Sequence, residues 1–219
     1  MAYGATRSIR NLALITTLAL PQIAAAEPLT LVAFGDSLTQ GYGLLPDQGF
    51  VPQLQQWLRM KGADVTVVNA GVSGDTTAGG AARIDWTLTP DVDAMILTLG
   101  GNDLLRGIDP AVARRNLDAI LTATEARGLP VLLVAMQALG NFGPAYKRDF
   151  DAIYPELAAK HHAMLADNFF AALMAPGTSQ ATFNTLMQAD GIHPNADGVA
   201  RIVAALGPEV LTLLKSATP

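Results

Sequence analysis

Leu29-Thr30-Leu31-Val32-Ala33-Phe34-Gly35-Asp36-Ser37-Leu38 is the stretch that decides the fold. A mostly apolar run without polar alternation is the signature of a strand buried on both faces. The Asp-Ser pair after Gly35 can cap a helical turn. A serine in that position sits where a strand gives way to a helix, at the rim of a sheet.

Working outward, the same grammar repeats. Apolar strands are expected at Asp64–Val68, Ala94–Leu99, Val131–Ala135 and Met164–Ala166. Helical spacing of apolar residues alternates with them over Val51–Lys61, Thr76–Leu88, Pro110–Arg127 and Ala145–His161, and Asn195 caps a last helix to about Leu214. Trp57 and Trp86 fall in helical patterns and are read as core. Alternating strands and helices imply one parallel sheet covered on both faces. In such sheets ligands bind beyond the carboxyl ends of the strands. Ser37, Gly74 and Asn102 follow the first, second and third strands, so all three are expected on one rim.

Composition narrows the classes of function. The chain has 219 residues, half of them hydrophobic and 15% charged, enough for one domain with a sizeable core. A net charge of −5 with no basic stripe argues against a nucleic-acid partner. The absence of cysteine excludes disulfides and thiol chemistry. Arg7 and Arg10, the apolar Asn11–Pro21 and the small Ala24-Ala25-Ala26 form the three parts of a secretory signal peptide. Cleavage is expected after Ala26, leaving a single domain over 27–219 in the periplasm or outside the cell. No stable membrane insertion is expected after cleavage. The oligomeric state is open, with a monomer expected.

Four motifs carry the chemistry. Ser37 needs a base to become a nucleophile. His193, in Asp190-Gly191-Ile192-His193-Pro194, stands alone in a loop with a carboxylate three residues away that can hold its tautomer. His161 and His162, near the end of a helix, are read as solvated. The N–H groups of Ser37 and Gly74 and the amide of Asn102 offer three donors for an oxyanion. Asp75 and Asp103 are read as buried carboxylates accepting backbone N–H groups. Each motif has a plainer explanation: a helix cap at Asp36-Ser37, turns at Gly100-Gly101-Asn102-Asp103 and Asp190-Gly191. Their joint occurrence, in order, points to a serine hydrolase.

On these residues the chain resembles the SGNH (GDSL) hydrolases, and within them the bacterial arylesterase, lysophospholipase and acyl-CoA thioesterase I group. The blocks are Phe34–Leu38, Val68–Thr76, Leu99–Asp103 and Asp190–Pro194. The resemblance implies a three-layer α/β/α sandwich with a five-stranded parallel sheet in a flavodoxin-like arrangement. It implies Ser37, Asp190 and His193 as the triad, and Ser37, Gly74 and Asn102 as the oxyanion hole, with no metal and no cofactor. A Gly-x-Ser-x-Gly elbow is absent around Ser37, which disfavours the ordinary α/β-hydrolase arrangement. Leu105-Arg106-Gly107 resembles the loop that closes over acyl chains in the thioesterase group, with Leu104 where that group has glycine. Asn141-Phe142-Gly143, Tyr146, Phe150 and Tyr154-Pro155 also resemble it, whereas Gln137-Ala138-Leu139-Gly140 replaces a basic residue and proline.

The expected reaction is hydrolysis of carboxylic esters and thioesters of short to medium chain, with arylesters and lysophospholipids in range. Leu104, Leu105, Ile108, Leu139 and Phe142 are the expected pocket lining. Two alternatives are a carbohydrate esterase removing acetyl groups from glycans, and a non-catalytic periplasmic protein that binds acyl chains or lipids.

Overall fold

The computed structural model describes residues 27–217, with Met1 and Gly4 standing apart. The expected signal-peptide features, Arg7, Arg10 and the run to Ala26, lie outside the described residues.

Five parallel strands form the sheet: β1 (Leu29–Gly35), β2 (Val65–Gly71), β3 (Ala94–Thr98), β4 (Val131–Val134) and β5 (Met164–Ala166). They lie in the order β2-β1-β3-β4-β5. The middle strands are apolar because both faces are covered: Leu31 to Phe34, Ala94 to Leu97 and Leu132 to Val134 are all buried. At the edge, β2 alternates instead, with Val65 and Val67 inward and Thr66 and Val68 outward. Its outer backbone is partnered by Gln55, which donates to the Val65 carbonyl at 2.8 Å and accepts from the Val67 N–H at 2.8 Å. That side chain blunts an edge otherwise open to pairing.

Three layers result. On one face α2 (Phe50–Met60) packs against the long C-terminal helix, Ala196–Ala217, where Gly207 lies under the ring of Trp57. Asn195 caps this last helix as expected, accepting from the Gly198 N–H at 3.0 Å. On the other face α3 (Thr77–Thr87) packs on α5 (Pro110–Glu125), and α5 on α7 (Ile153–Lys160). Short helices α1 (Ser37–Gln40) and α4 (Gly101–Leu105) follow β1 and β3.

Several expectations need correction. The helix anticipated over Ala145–His161 is two helices, α6 (Pro144–Asp151) and α7, meeting at Ala152. Pro155 has no N–H to return to Asp151, so the helical ladder breaks there. Trp86 is 87% exposed rather than core, projecting from the end of α3. His161 is not solvated: its side chain is 4% exposed, with Nε2 2.6 Å from Asp118 and Nδ1 2.8 Å from Glu125. β2 runs three residues further than expected, to Gly71, because β1 supplies a partner along its whole length.

The strand order reverses between β1 and β3, since β2 lies to one side and β4 and β5 to the other. Helices after β1 and β3 leave the sheet on opposite faces there, opening a crevice at the carboxyl ends. Ser37 and Asn102 flank that crevice.

Candidate active site

The first wall of the site is built by close packing. Gly35 pairs with Gly71 on one side and Thr98 on the other. A Cβ at Gly35 would stand 2.1 Å from the Thr39 hydroxyl and 2.7 Å from the Thr98 carbonyl. The glycine is there for space, so that α1 can fold back over the strand end. Asp36 caps α1 by accepting from the Leu38 N–H at 3.0 Å. This carboxyl is 1% exposed, and burial pushes its pKa up to about 6 despite that hydrogen bond. Ser37 opens α1, and its N–H donates to no group among the described residues.

The second wall comes from the turn after β2. Gly74 has φ +83°, a backbone state that favours glycine, and its N–H is likewise without an acceptor among the described residues. Asp75 departs from the expectation for it. Rather than accepting backbone N–H groups, it takes the Arg83 Nε at 2.7 Å, while Arg83 Nη2 donates to the Gly35 carbonyl at 2.9 Å. Arg83 also lies over the Phe34 ring, 3.9 Å from its centroid.

The third wall is the turn after β3. Gly100 takes φ +118°, and a Cβ there would meet the Tyr154 hydroxyl at 2.2 Å. Tyr154 is fully buried and donates to the Leu99 carbonyl at 2.9 Å, so the tightness at Gly100 serves protein packing. Asn102 then ties the walls together: its amide donates to the Asp75 carbonyl at 2.9 Å and, more weakly, to the Asp36 carboxylate at 3.4 Å. Asp103 behaves as expected. It is 1% exposed, and it accepts from the Thr77 N–H at 2.8 Å and the Thr77 hydroxyl at 2.7 Å.

The fourth wall is the loop before the last helix. Asp190 Oδ1 accepts from the N–H groups of Ile192 at 2.9 Å and His193 at 3.0 Å. Its Oδ2 lies 2.6 Å from His193 Nδ1. Desolvation pushes this carboxyl up, but the hydrogen bonds from His193 and Ile192 outweigh it and hold the pKa at about 2. An ionised carboxylate can only accept, so Nδ1 carries the proton and Nε2 is left with its lone pair. Nε2 lies 2.8 Å from Ser37 Oγ, across 156 residues of chain. Ser37, His193 and Asp190 are thus one connected hydrogen-bonded chain.

Sequence reasoning missed two participants, Tyr42 and Gln188, and named a third, Arg106, only as part of a closing loop. The Tyr42 ring lies against that of His193, tilted by 38° with 4.8 Å between centroids. Gln188 donates to the carbonyls of Tyr42 at 2.8 Å and Pro194 at 3.0 Å, clamping the histidine loop to the turn after Ser37. Arg106 donates to the Gly74 carbonyl at 2.9 Å. Of the two that were missed, Tyr42 carried a signal, standing between two glycines. The expected pocket residues are less gathered. Leu104 packs on the core, Leu105, Leu139 and Phe142 are exposed, and Ile108 lends its carbonyl to the Tyr146 hydroxyl at 2.9 Å. A cavity of about 230 Å³ lies instead by the ends of β4 and β5, lined by Met136, Gln137, Asp151, Leu165 and Asp167 among others.

Residues 33–201 match the model of the GDSL-like lipase/acylhydrolase family. The chain belongs to that family. It is thereby a carboxylic ester hydrolase. It is 40% identical over 196 residues to Esterase TesA of Pseudomonas aeruginosa, covering 89% of this chain and 93% of that one. It is 35% identical over 174 residues to the Thioesterase 1/protease 1/lysophospholipase L1 of Escherichia coli K12, covering 79% of each. Among solved structures, AlinE4, an SGNH-hydrolase family esterase, superimposes with a TM-score of 0.70 at 43% identity, over 87% of this chain and 99% of that one. Among the described residues no helix is long and apolar enough to cross a membrane, and no cluster of side chains is arranged for a metal ion.

Proposed function

We propose that the chain is an exported serine esterase that works through an acyl-enzyme on Ser37. In this reading residues 1–26 are the export signal, 27–219 the single hydrolase domain, and the periplasm or the cell exterior its place of work. The observation that carries the mechanism is the pair of distances, 2.8 Å from Ser37 Oγ to His193 Nε2 and 2.6 Å from His193 Nδ1 to Asp190.

His193 takes the Ser37 proton as Oγ attacks the ester carbonyl. Asp190 keeps the imidazole in the accepting tautomer and stabilises the imidazolium that forms. The oxyanion is received by the N–H groups of Ser37 and Gly74, which have no acceptor among the described residues, and by the Asn102 amide, which gives up its longer bond to Asp36 to do so. His193 then protonates the leaving alcohol or thiol, and afterwards draws a proton from water to release the acid. Esters and thioesters of short to medium acyl chains are the substrates, with the exposed Leu105 and the Phe142 ring beside Gly107 offered to the chain.

The test is a series of p-nitrophenyl esters from acetyl to palmitoyl, with wild type and Ser37→Ala side by side. Turnover with a maximum at one short or medium length, falling at least 10³-fold in the variant, is expected. Equal rates in a folded Ser37→Ala protein would remove Ser37 from the mechanism.

A further inference from the structure

Four stretches build the mouth of the site: 35–42, 71–75, 100–107 and 190–194. Each acidic side chain on them is engaged within the protein. Asp36 caps Leu38, Asp75 pairs with Arg83, Asp103 holds Thr77, and Asp190 holds His193. The same stretches carry one cation, Arg106. Arg106 is exposed and spends a single N–H on the Gly74 carbonyl. No carboxylate lies within ion-pair distance of it among the described residues. By contrast Lys147, on the helix beside Phe142, is occupied by Asp151 at 2.7 Å and the Ala138 carbonyl at 2.6 Å.

The end of α4 makes two contacts. Gly107 meets the ring of Phe142, where a Cβ would come within 2.8 Å of it. Arg106 donates to the carbonyl of Gly74, the residue whose N–H is offered to the oxyanion. A substrate whose carbonyl oxygen is received at the Gly74 N–H therefore has an exposed guanidinium with spare donors beside its reacting group. The planar fork of a guanidinium matches a phosphate oxygen pair.

We infer that Arg106 is a specificity-determining residue that selects esters whose leaving group bears a phosphate a few bonds from the scissile oxygen, as in an acylated glycerophosphate. The inference rests on the esterase reading above. An alternative role, bracing the Gly74 carbonyl alone, would affect all esters alike.

The experiment compares two soluble esters that differ only in that charge, monohexanoylglycerol and hexanoyl glycerophosphate, with p-nitrophenyl hexanoate as a third substrate. kcat/KM is measured for wild type, Arg106→Gln and Arg106→Lys at low and high NaCl. Wild type should favour the phosphate ester by about five- to tenfold at low salt, as befits an exposed but bidentate pair, and high salt should erode the preference. Arg106→Gln should bring the ratio near one, whatever it does to the absolute rates, and Arg106→Lys should retain part of it. A wild-type ratio of one, or a ratio unchanged in Arg106→Gln, overturns the inference and leaves the esterase standing. Turnover of the p-nitrophenyl ester without either glycerol ester overturns it too. No turnover of any of the three overturns the esterase reading itself.

Discussion

The two halves of the proposed catalytic chain are held in opposite ways. Ser37 is fixed by long-range packing: Gly35 is wedged between Gly71 and Thr98, and Asp36 is buried and bonded by Asn102 from the helix after β3. The Asp190–His193 loop is held mostly by itself. Asp190 grips the backbone and the ring of a residue three positions away, and the loop reaches the rest of the site through Gln188, Tyr42 and the contact to Ser37. The proposed nucleophile and oxyanion donors thus stand on turns and short helices fixed directly to the strand ends. The base belongs to a locally organised loop that must be docked onto them. Damage to one half should therefore read out differently from damage to the other.

The sharpest break comes from Asp190→Asn. An amide in place of the carboxylate no longer fixes Nδ1 as the protonated nitrogen, and kcat should fall about 10⁴-fold with the fold intact. A loss under tenfold would mean that the loop holds the imidazole without its carboxylate. Next, Asn102→Ala strikes the sheet side. It removes one oxyanion donor and the tie to Asp75, and kcat should fall on the order of 10² to 10³ with a modest change in KM. Retention of half the wild-type rate would take the amide out of the oxyanion hole.

A gentler cut separates docking from chemistry. Gln188→Ala removes both side-chain hydrogen bonds that clamp the histidine loop and keeps the backbone bond to the His193 carbonyl, while Ser37, Asn102 and the Asp190–His193 pair stay intact. About a tenfold fall in kcat is expected, with thermal stability lowered by about 1–2 kcal/mol. Wild-type activity would show that the loop docks through Tyr42 and Ser37 alone.

The smallest effect is on stability, from the buried side. Asp36 has its pKa raised from 3.8 to about 6. A group raised on folding supports the fold while protonated, and that support is lost as pH rises through its folded value. Asp36→Asn keeps an oxygen to cap Leu38 and never ionises. Its stability relative to wild type should therefore grow between pH 5 and 7.5, by on the order of 1 kcal/mol. Melting curves at the two pH values check it, and a constant difference would assign the titration elsewhere. Asp190, held at about 2, behaves in the opposite sense: its contribution is present above about pH 4 and is lost only as pH falls through about 2.

Much of the fold was legible because apolar runs and helix caps are local. Leu29–Phe34, Pro110 at the start of α5 and Asn195 at the start of the last helix all mark themselves. Boundaries failed where a partner overrode the local pattern, as with β2 drawn on to Gly71 by β1. The split at Ala152 was written in Pro155 but hidden by a strong apolar period on either side. Trp86 and His161 were misplaced for a related reason. Helical periodicity tells which residues share a face, not what covers that face: α3 ends before anything packs over Trp86, while Asp118 and Glu125 of α5 reach His161.

What the sequence determined by itself is the set of chemical groups and the strand after which each stands. A serine after a buried strand, glycines at tight turns, and an aspartate three residues before a histidine are all statements about near neighbours. What only the tertiary structure decided is how those groups are held. The 2.8 Å contact between residues 37 and 193, the sharing of Asn102 between Asp75 and Asp36, and the reach of Arg106 to Gly74 depend on the strand order and on side-chain directions. Contacts between distant segments arise from packing the whole sheet and its helices, and no local pattern of residues encodes them.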